Sequence, residues 1–124
     1  MKLSDHQFEF MKDLAVLIDY IANVKKYKIT GGWLERNKAI QKILVDAGLS
    51  KTMDSNHLKR LAIDFNLFIK NIVLTNKRKK DLTPEEWDIL SELGVFWENL
   101  NKYNRWGGFF NSIYDPGHFE RNIN

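Results

Sequence analysis

The sequence predicts a mixed fold of helices and short strands in one domain, and three observations predict it. Apolar residues recur at helical spacing in separate segments along the chain, whereas Leu61 to Ile69 alternates strictly between apolar and mixed positions. The 124 residues, 44% hydrophobic and 28% charged, suffice for one ordinary core and leave no room for a second module. Residues 1–124 are therefore read as a single domain without repeats or low-complexity segments.

From Ser4 to about Val24, Phe8, Met11, Ala15, Ile18 and Ala22 follow helical spacing, flanked by Leu14 and Ile21, with Ser4 or Asp5 as cap. Tyr27 to Thr30 alternates and stops at Gly31-Gly32, the pattern of a short strand entering a turn. A second helix is expected from about Glu35 to Ala47, with Ala39, Ile40, Ile43, Leu44 and Ala47 on one face and Gly48 as its stop. Leu49 to Asn56 reads as a polar loop.

In the strand Leu61 to Ile69, Leu61, Ile63, Phe65, Leu67 and Ile69 share one face, which aims Asp64 away from the most apolar side. Lys70-Asn71 then turns the chain into Ile72-Val73-Leu74 as a hairpin partner. Thr83-Pro84-Glu85-Glu86 is a capping box with proline at the first helical position, opening a helix to about Leu93. Gly94 is expected to end or kink it before a short aromatic helical segment, Val95 to Leu100. Arg105 to Phe110 reads as loop, and Tyr114 to Glu120 as a turn into a last short strand.

Composition removes several function classes. The chain has no cysteine, so disulfides, thiolate metal sites and cysteine catalysis are excluded, and any metal must take His, carboxylate or amide oxygen ligands. The formal net charge is only +3, much of it in the run Lys77 to Lys80, which reads as a solvated loop; without interleaved aromatics it does not mark a nucleic-acid partner. The polar opening Met1 to His6 and the short apolar stretch Leu14 to Ile18 predict neither a signal peptide nor membrane insertion. The protein is expected to stay in the cytoplasm of the producing cell, as a monomer.

Three His are present, and two of them fall near carboxylates: His57 seven residues before Asp64, and His118 three residues after Asp115. Two His and one carboxylate suffice for a zinc site that keeps a position open for water, the composition of a catalytic rather than a structural centre. Spacing alone leaves two other readings open. The residues can be ordinary polar side chains, and the charge of Asp64 in an apolar strand can equally be met by a buried arginine.

The segment from Ser55 to Asp64 resembles the SxHxxGxAxD signature of the zinc peptidoglycan peptidases, which include D-Ala-D-Ala carboxypeptidases and dipeptidases and the L-alanyl-D-glutamate endopeptidases of phage endolysins. Asp115-Pro116-Gly117-His118-Phe119-Glu120 is similar to the second signature, (D/E)xxH, with the aromatic-Glu continuation of the endolysin-like branch. Arg36 and Gln41 keep the spacing of the family's arginine-to-glutamine segment, and Arg105-Trp106-Gly107-Gly108 resembles its Trp-Gly-Gly stretch. The resemblance implies an α+β fold, a small antiparallel sheet with helices packed on one side, as in D-Ala-D-Ala peptidases and hedgehog-like domains.

By the same resemblance His57, Asp64 and His118 are the Zn2+ ligands, Asp115 the general base, and Arg36 a substrate-orienting or charge-stabilising group. Ser55 and Trp106 are expected at the substrate, Ser55 as an orienting group rather than a nucleophile. Aspartate rather than glutamate at 115 leans toward the carboxypeptidase and endopeptidase branches. Arg60 stands where the family has glycine, and is expected to crowd the site or its strand pairing.

The function implied is a zinc metallopeptidase acting on peptidoglycan stem peptides. The expected form is an L-alanyl-D-glutamate endopeptidase released as a phage endolysin, reaching the wall once the membrane is permeabilised. A D-Ala-D-Ala carboxypeptidase with the same site, and a non-catalytic metal-stabilised binding module, are the alternatives.

Overall fold

A computed structural model describes residues 1–32, 38–48 and 55–124. The chain opens with helix α1 (Leu3–Asp19), whose last turn widens into a π-helical turn, followed by strand β1 (Lys28–Gly31) and helix α2 (Lys38–Asp46). Strands β2 (Ala62–Ile69) and β3 (Ile72–Val73) precede helix α3 (Pro84–Leu100), and β4 (Asn104–Trp106) and β5 (His118–Arg121) close the chain. The five strands form one sheet in the order β1-β2-β5-β4, with β3 also on β2, and every pairing is antiparallel. This is the expected α+β class.

The core lies where α1 and α3 meet one face of the sheet. Phe10, Leu14, Leu17 and Ile21 from the first helix and Leu90, Leu93 and Trp97 from α3 pack with Phe65, Leu67, Trp106 and Phe119. The α1 face is not the expected one: Phe8, Met11 and Ile18 are exposed at 61%, 52% and 38%. This helix is apolar around much of its circumference, so two faces satisfy the helical period, and only the sheet decides which is buried. Asp5 caps from inside the first turn, accepting the Lys2 N–H at 2.9 Å.

The hairpin forms as expected, and Lys70 and Asn71 both take positive φ (51° and 66°), the conformation a two-residue turn needs to match the strand twist. The capping box is complete: Thr83 Oγ1 accepts the Glu86 N–H at 3.2 Å, and Glu86 Oε1 accepts the Thr83 N–H at 3.0 Å. The helix it opens does not stop at Gly94. A Cβ at Gly94 would lie 2.2 Å from the Trp106 ring, so this glycine admits an indole to the helix surface rather than ending the helix. Trp106 in turn belongs to β4, where a loop was expected, because β5 supplies its partner across Trp106↔Phe119.

The second helix begins, within the described residues, at Lys38, and its Ala39 and Ile43 are exposed while Gln41 is fully buried. Gly48, at φ 74°, is the left-handed stop expected there. The basic run forms short 3-10 turns, with Lys77 held by Glu86 at 2.9 Å. No helix of the described residues is long and apolar enough to cross a membrane.

Candidate metal centre and catalytic cleft

Antiparallel register builds the centre. Asp64 on β2 lies directly opposite His118 on β5, and Ala62 opposite Glu120, so all four residues share the sheet face opposite the α1–α3 core. His57 arrives from the 3-10 turn Asn56–Lys59, which leads into the strand. Ser55 caps that turn, its Oγ accepting the His57 N–H at 3.2 Å.

The Asp64 carboxylate sits between two imidazoles. His57 Nε2 is 3.3 Å from Oδ2 and His118 Nδ1 is 3.1 Å from Oδ1. One ligand atom from each of the three residues falls within 4.8 Å of the others. A tetrahedral ion bound at about 2.0–2.1 Å separates its ligands by about 3.3–3.4 Å; the two His–Asp spacings are close to that, and the His2Asp donor set suits zinc.

The far side of His118 is held as well. Its Nε2 is 2.7 Å from Glu120 Oε1, and the other Glu120 oxygen accepts from Asn56 Nδ2 at 2.9 Å. A carboxylate on the distal nitrogen fixes ring orientation and makes the proximal nitrogen a better donor. Glu120 and Asn56 were assigned no role by the sequence reading. Their signal was present: Glu120 is two residues from His118 on a strand, hence on the same face.

Electrostatics follow from these contacts. Burial works against the Asp64 charge, but hydrogen bonds with His118 and His57 overcome it and hold the carboxyl well below the usual carboxylate range. Burial likewise opposes a charged His118, yet hydrogen bonds with Asp64 and Glu120 outweigh it and push the imidazolium up to about 9. A carboxylate and an imidazolium that hold one another charged in this way, Asp64 and His118, form a site ready to exchange a proton for a cation.

Asp115 stands at the rim. Its Oδ2 is 4.0 Å from His118 Nδ1, and its side chain is 48% exposed against 24% for Asp64. The turn that carries it is set by Gly107, whose carbonyl accepts the Asp115 N–H at 3.1 Å. A Cβ at Gly107 would lie 2.1 Å from the Asp115 carbonyl oxygen and 2.9 Å from the His118 Cβ. Next to it, burial and then the Asp115 charge push the Tyr114 phenol up to about 12, so it keeps its proton at neutral pH.

The structure brings together His57, Asp64, His118 and Asp115. It takes Trp106 out of the substrate's reach, because the ring is fully buried and its Nε1 donates to the Pro116 carbonyl at 2.8 Å. Trp106 is a core residue that supports the turn carrying Asp115 from beneath. Ser55, 7% exposed, is occupied in capping the His57 turn and does not face a substrate. Arg36 lies outside the described residues. Arg60 does not crowd the cleft: it is exposed, at φ 56° and ψ 39°, where it ends the His57 turn in the left-handed conformation. The glycine of the signature answers a backbone need rather than a need for space.

The chain is similar to the crystal structure of Serratia marcescens L-Ala D-Glu endopeptidase ChiX, with a TM-score of 0.67 at 20% identity, over 92% of this chain and 78% of that one. A search of curated proteins found no match. Sheet, cleft and His-Asp-His cluster together define a small peptidoglycan peptidase. A family profile described as D-alanyl-D-alanine carboxypeptidase matches residues 48–121, more than half of the chain, and the chain belongs to that family.

Proposed function

We propose that the protein is a zinc-dependent L-alanyl-D-glutamate endopeptidase of the phage-endolysin type. It would be kept in the cytoplasm of the producing cell, acting on the wall once the membrane is permeabilised. The observation that carries the reading is the convergence of His57 Nε2 and His118 Nδ1 on Asp64, with Asp115 half-exposed beside them. The choice of bond is supported by the likeness of fold to an L-Ala D-Glu endopeptidase over nearly the whole chain.

His57, Asp64 and His118 would hold the ion, which when bound supplies a water acidified toward about pH 7 and polarises the scissile carbonyl. Asp115 then takes the proton of the attacking water at a carboxylate oxygen and hands it to the leaving amine. Its exposure lets it reach a substrate, whereas Asp64 is enclosed by both imidazoles. Glu120 keeps the His118 ring in place throughout, and Arg36 is assigned to orient the substrate or steady developing negative charge.

The test is incubation with purified peptidoglycan fragments, with and without a chelator, followed by mass spectrometry of the released peptides. A chelator-sensitive free glutamyl amino terminus is expected. Loss of terminal D-alanine instead makes the protein a carboxypeptidase, and fragments left intact in the presence of zinc refute the catalytic reading. Asp115→Ala abolishes turnover while zinc stays bound, and His57→Ala loses both.

A further inference from the structure

Two open cavities meet beside Asp115. One, of about 320 Å³, runs past Asp64 and Asn66; the other, of about 350 Å³, is walled by Lys77, Arg78, Lys79 and Tyr114. They share Thr75, Asn76 and Asp115, so they form one groove with the Asp64 carboxylate at one end and three consecutive cations at the other.

The three cations are not equivalent. Lys77 is committed to Glu86, at 2.9 Å and 3.0 Å, with both side chains largely enclosed. Arg78 is 70% exposed and its pair with Asp81 at 2.9 Å is a surface pair of little strength, which a better anion displaces. The Lys79 ammonium stands 4.9 Å over the Trp87 ring and has no carboxylate partner among the described residues. An ammonium on an aromatic face keeps its N–H donors for a ligand while its position is set.

We propose that Arg78 and Lys79 form a subsite for a carboxylate carried by the substrate residue on the amine side of the bond that is cut. The inference rests on the proposed peptidase reading and adds the substrate feature it selects. Asp115 belongs to both halves of the groove. Because it delivers the proton to the leaving amine, the residue bearing that amine lies beside it and projects its own substituent toward Arg78 and Lys79. In a bond between L-alanine and γ-linked D-glutamate, that substituent is the free α-carboxylate of the glutamate. A fork-shaped guanidinium beside an ammonium suits a planar carboxylate. Amidation of that carboxylate removes the charge and leaves the shape.

The test compares the peptide L-Ala-γ-D-Glu-L-Lys-D-Ala with its D-isoglutamine counterpart, by calorimetric binding to zinc-loaded Asp115→Asn and by turnover of the unaltered protein. The acid is expected to bind about three- to tenfold more tightly, the fold-change two exposed ion pairs give, and the difference should shrink with added salt. Arg78→Gln with Lys79→Gln should weaken the acid alone, until acid and amide bind equally, whereas Lys80→Gln should change neither. Equal binding of acid and amide by the parent, equal weakening of both by the double variant, or no binding of either peptide overturns the subsite. Hydrolysis without preference for the acid overturns the subsite and leaves the peptidase reading standing. Preferential binding of the acid without hydrolysis by the unaltered protein supports the subsite and removes the peptidase.

Discussion

Replacing Arg60 with glycine should stabilise the protein although it removes a side chain. Arg60 holds φ 56° and ψ 39°, a conformation in which the Cβ of an L-residue crowds the following carbonyl at a cost of about 1–2 kcal/mol. Glycine escapes that cost but has more backbone freedom to lose on folding, which returns about 0.5–1 kcal/mol. The expected net gain is about 0.5–1 kcal/mol, or about 2–4 °C in melting temperature for a chain of this length. Arg60→Ala is the control, because alanine loses the same guanidinium contacts and keeps the strained backbone. Urea unfolding of the three proteins, with an unchanged dependence on urea, gives the comparison. Glycine should exceed alanine by that net gain of about 0.5–1 kcal/mol; a glycine variant no more stable than the alanine one would falsify the claim that conformation accounts for the signature glycine.

Three further outcomes follow from the site. Gly107→Ala puts a methyl group 2.1 Å from the Asp115 carbonyl oxygen, and should destabilise the protein by about 1–3 kcal/mol. It should also lower turnover at least about tenfold by displacing Asp115, the proposed base, and full activity in that variant would show the turn to be slack. Glu120→Gln keeps the size of the residue on His118 Nε2 but not its charge, and should weaken zinc binding about 10–100-fold in a chelator competition. Acidity gives a third handle. Since His118 is raised from 6.5 to about 9 in the metal-free protein, its stabilising charge is fully present below pH 6.5 and lost as pH rises through about 9. The melting temperature of chelator-treated protein should fall across that window, while zinc affinity rises across it as the competing proton leaves; a flat profile in both would contradict the coupling.

The parts of the fold that were legible in the sequence are those whose signals are local. Thr83, Pro84 and Glu86 write a helix start in four residues, Gly48 writes a stop, and the alternation of β2 places Asp64 opposite Phe65 without knowledge of any partner. The misreadings come from tertiary contacts. Gly94 looks like a break until the Trp106 ring is seen against it, and β4 looks like a loop until β5 lies beside it. The α1 face was ambiguous because Phe8 and Phe10 head two apolar stripes of the same helix. At the site the metal-ligand candidates and Asp115 were legible from two short signatures. Glu120, Asn56 and the burial of Trp106 were not, since each depends on which strand pairs with which.

The Asp64↔His118 pairing joins strands 54 residues apart in sequence, and no hydrolytic chemistry exists until that pairing is made. Closing so long a loop is slow and depends on the correct strand register, because a slip of one residue would send His118 into the core and Phe119 into the cleft. Competence is thus a late event in folding and an indivisible one. A ribosome-bound chain that has not yet released β5, or a fragment cut ahead of it, holds two of the three candidate ligands, His57 and Asp64, and lacks the third. Within such a design, assembly of the His57–Asp64–His118 cluster is the mark that the sheet is complete.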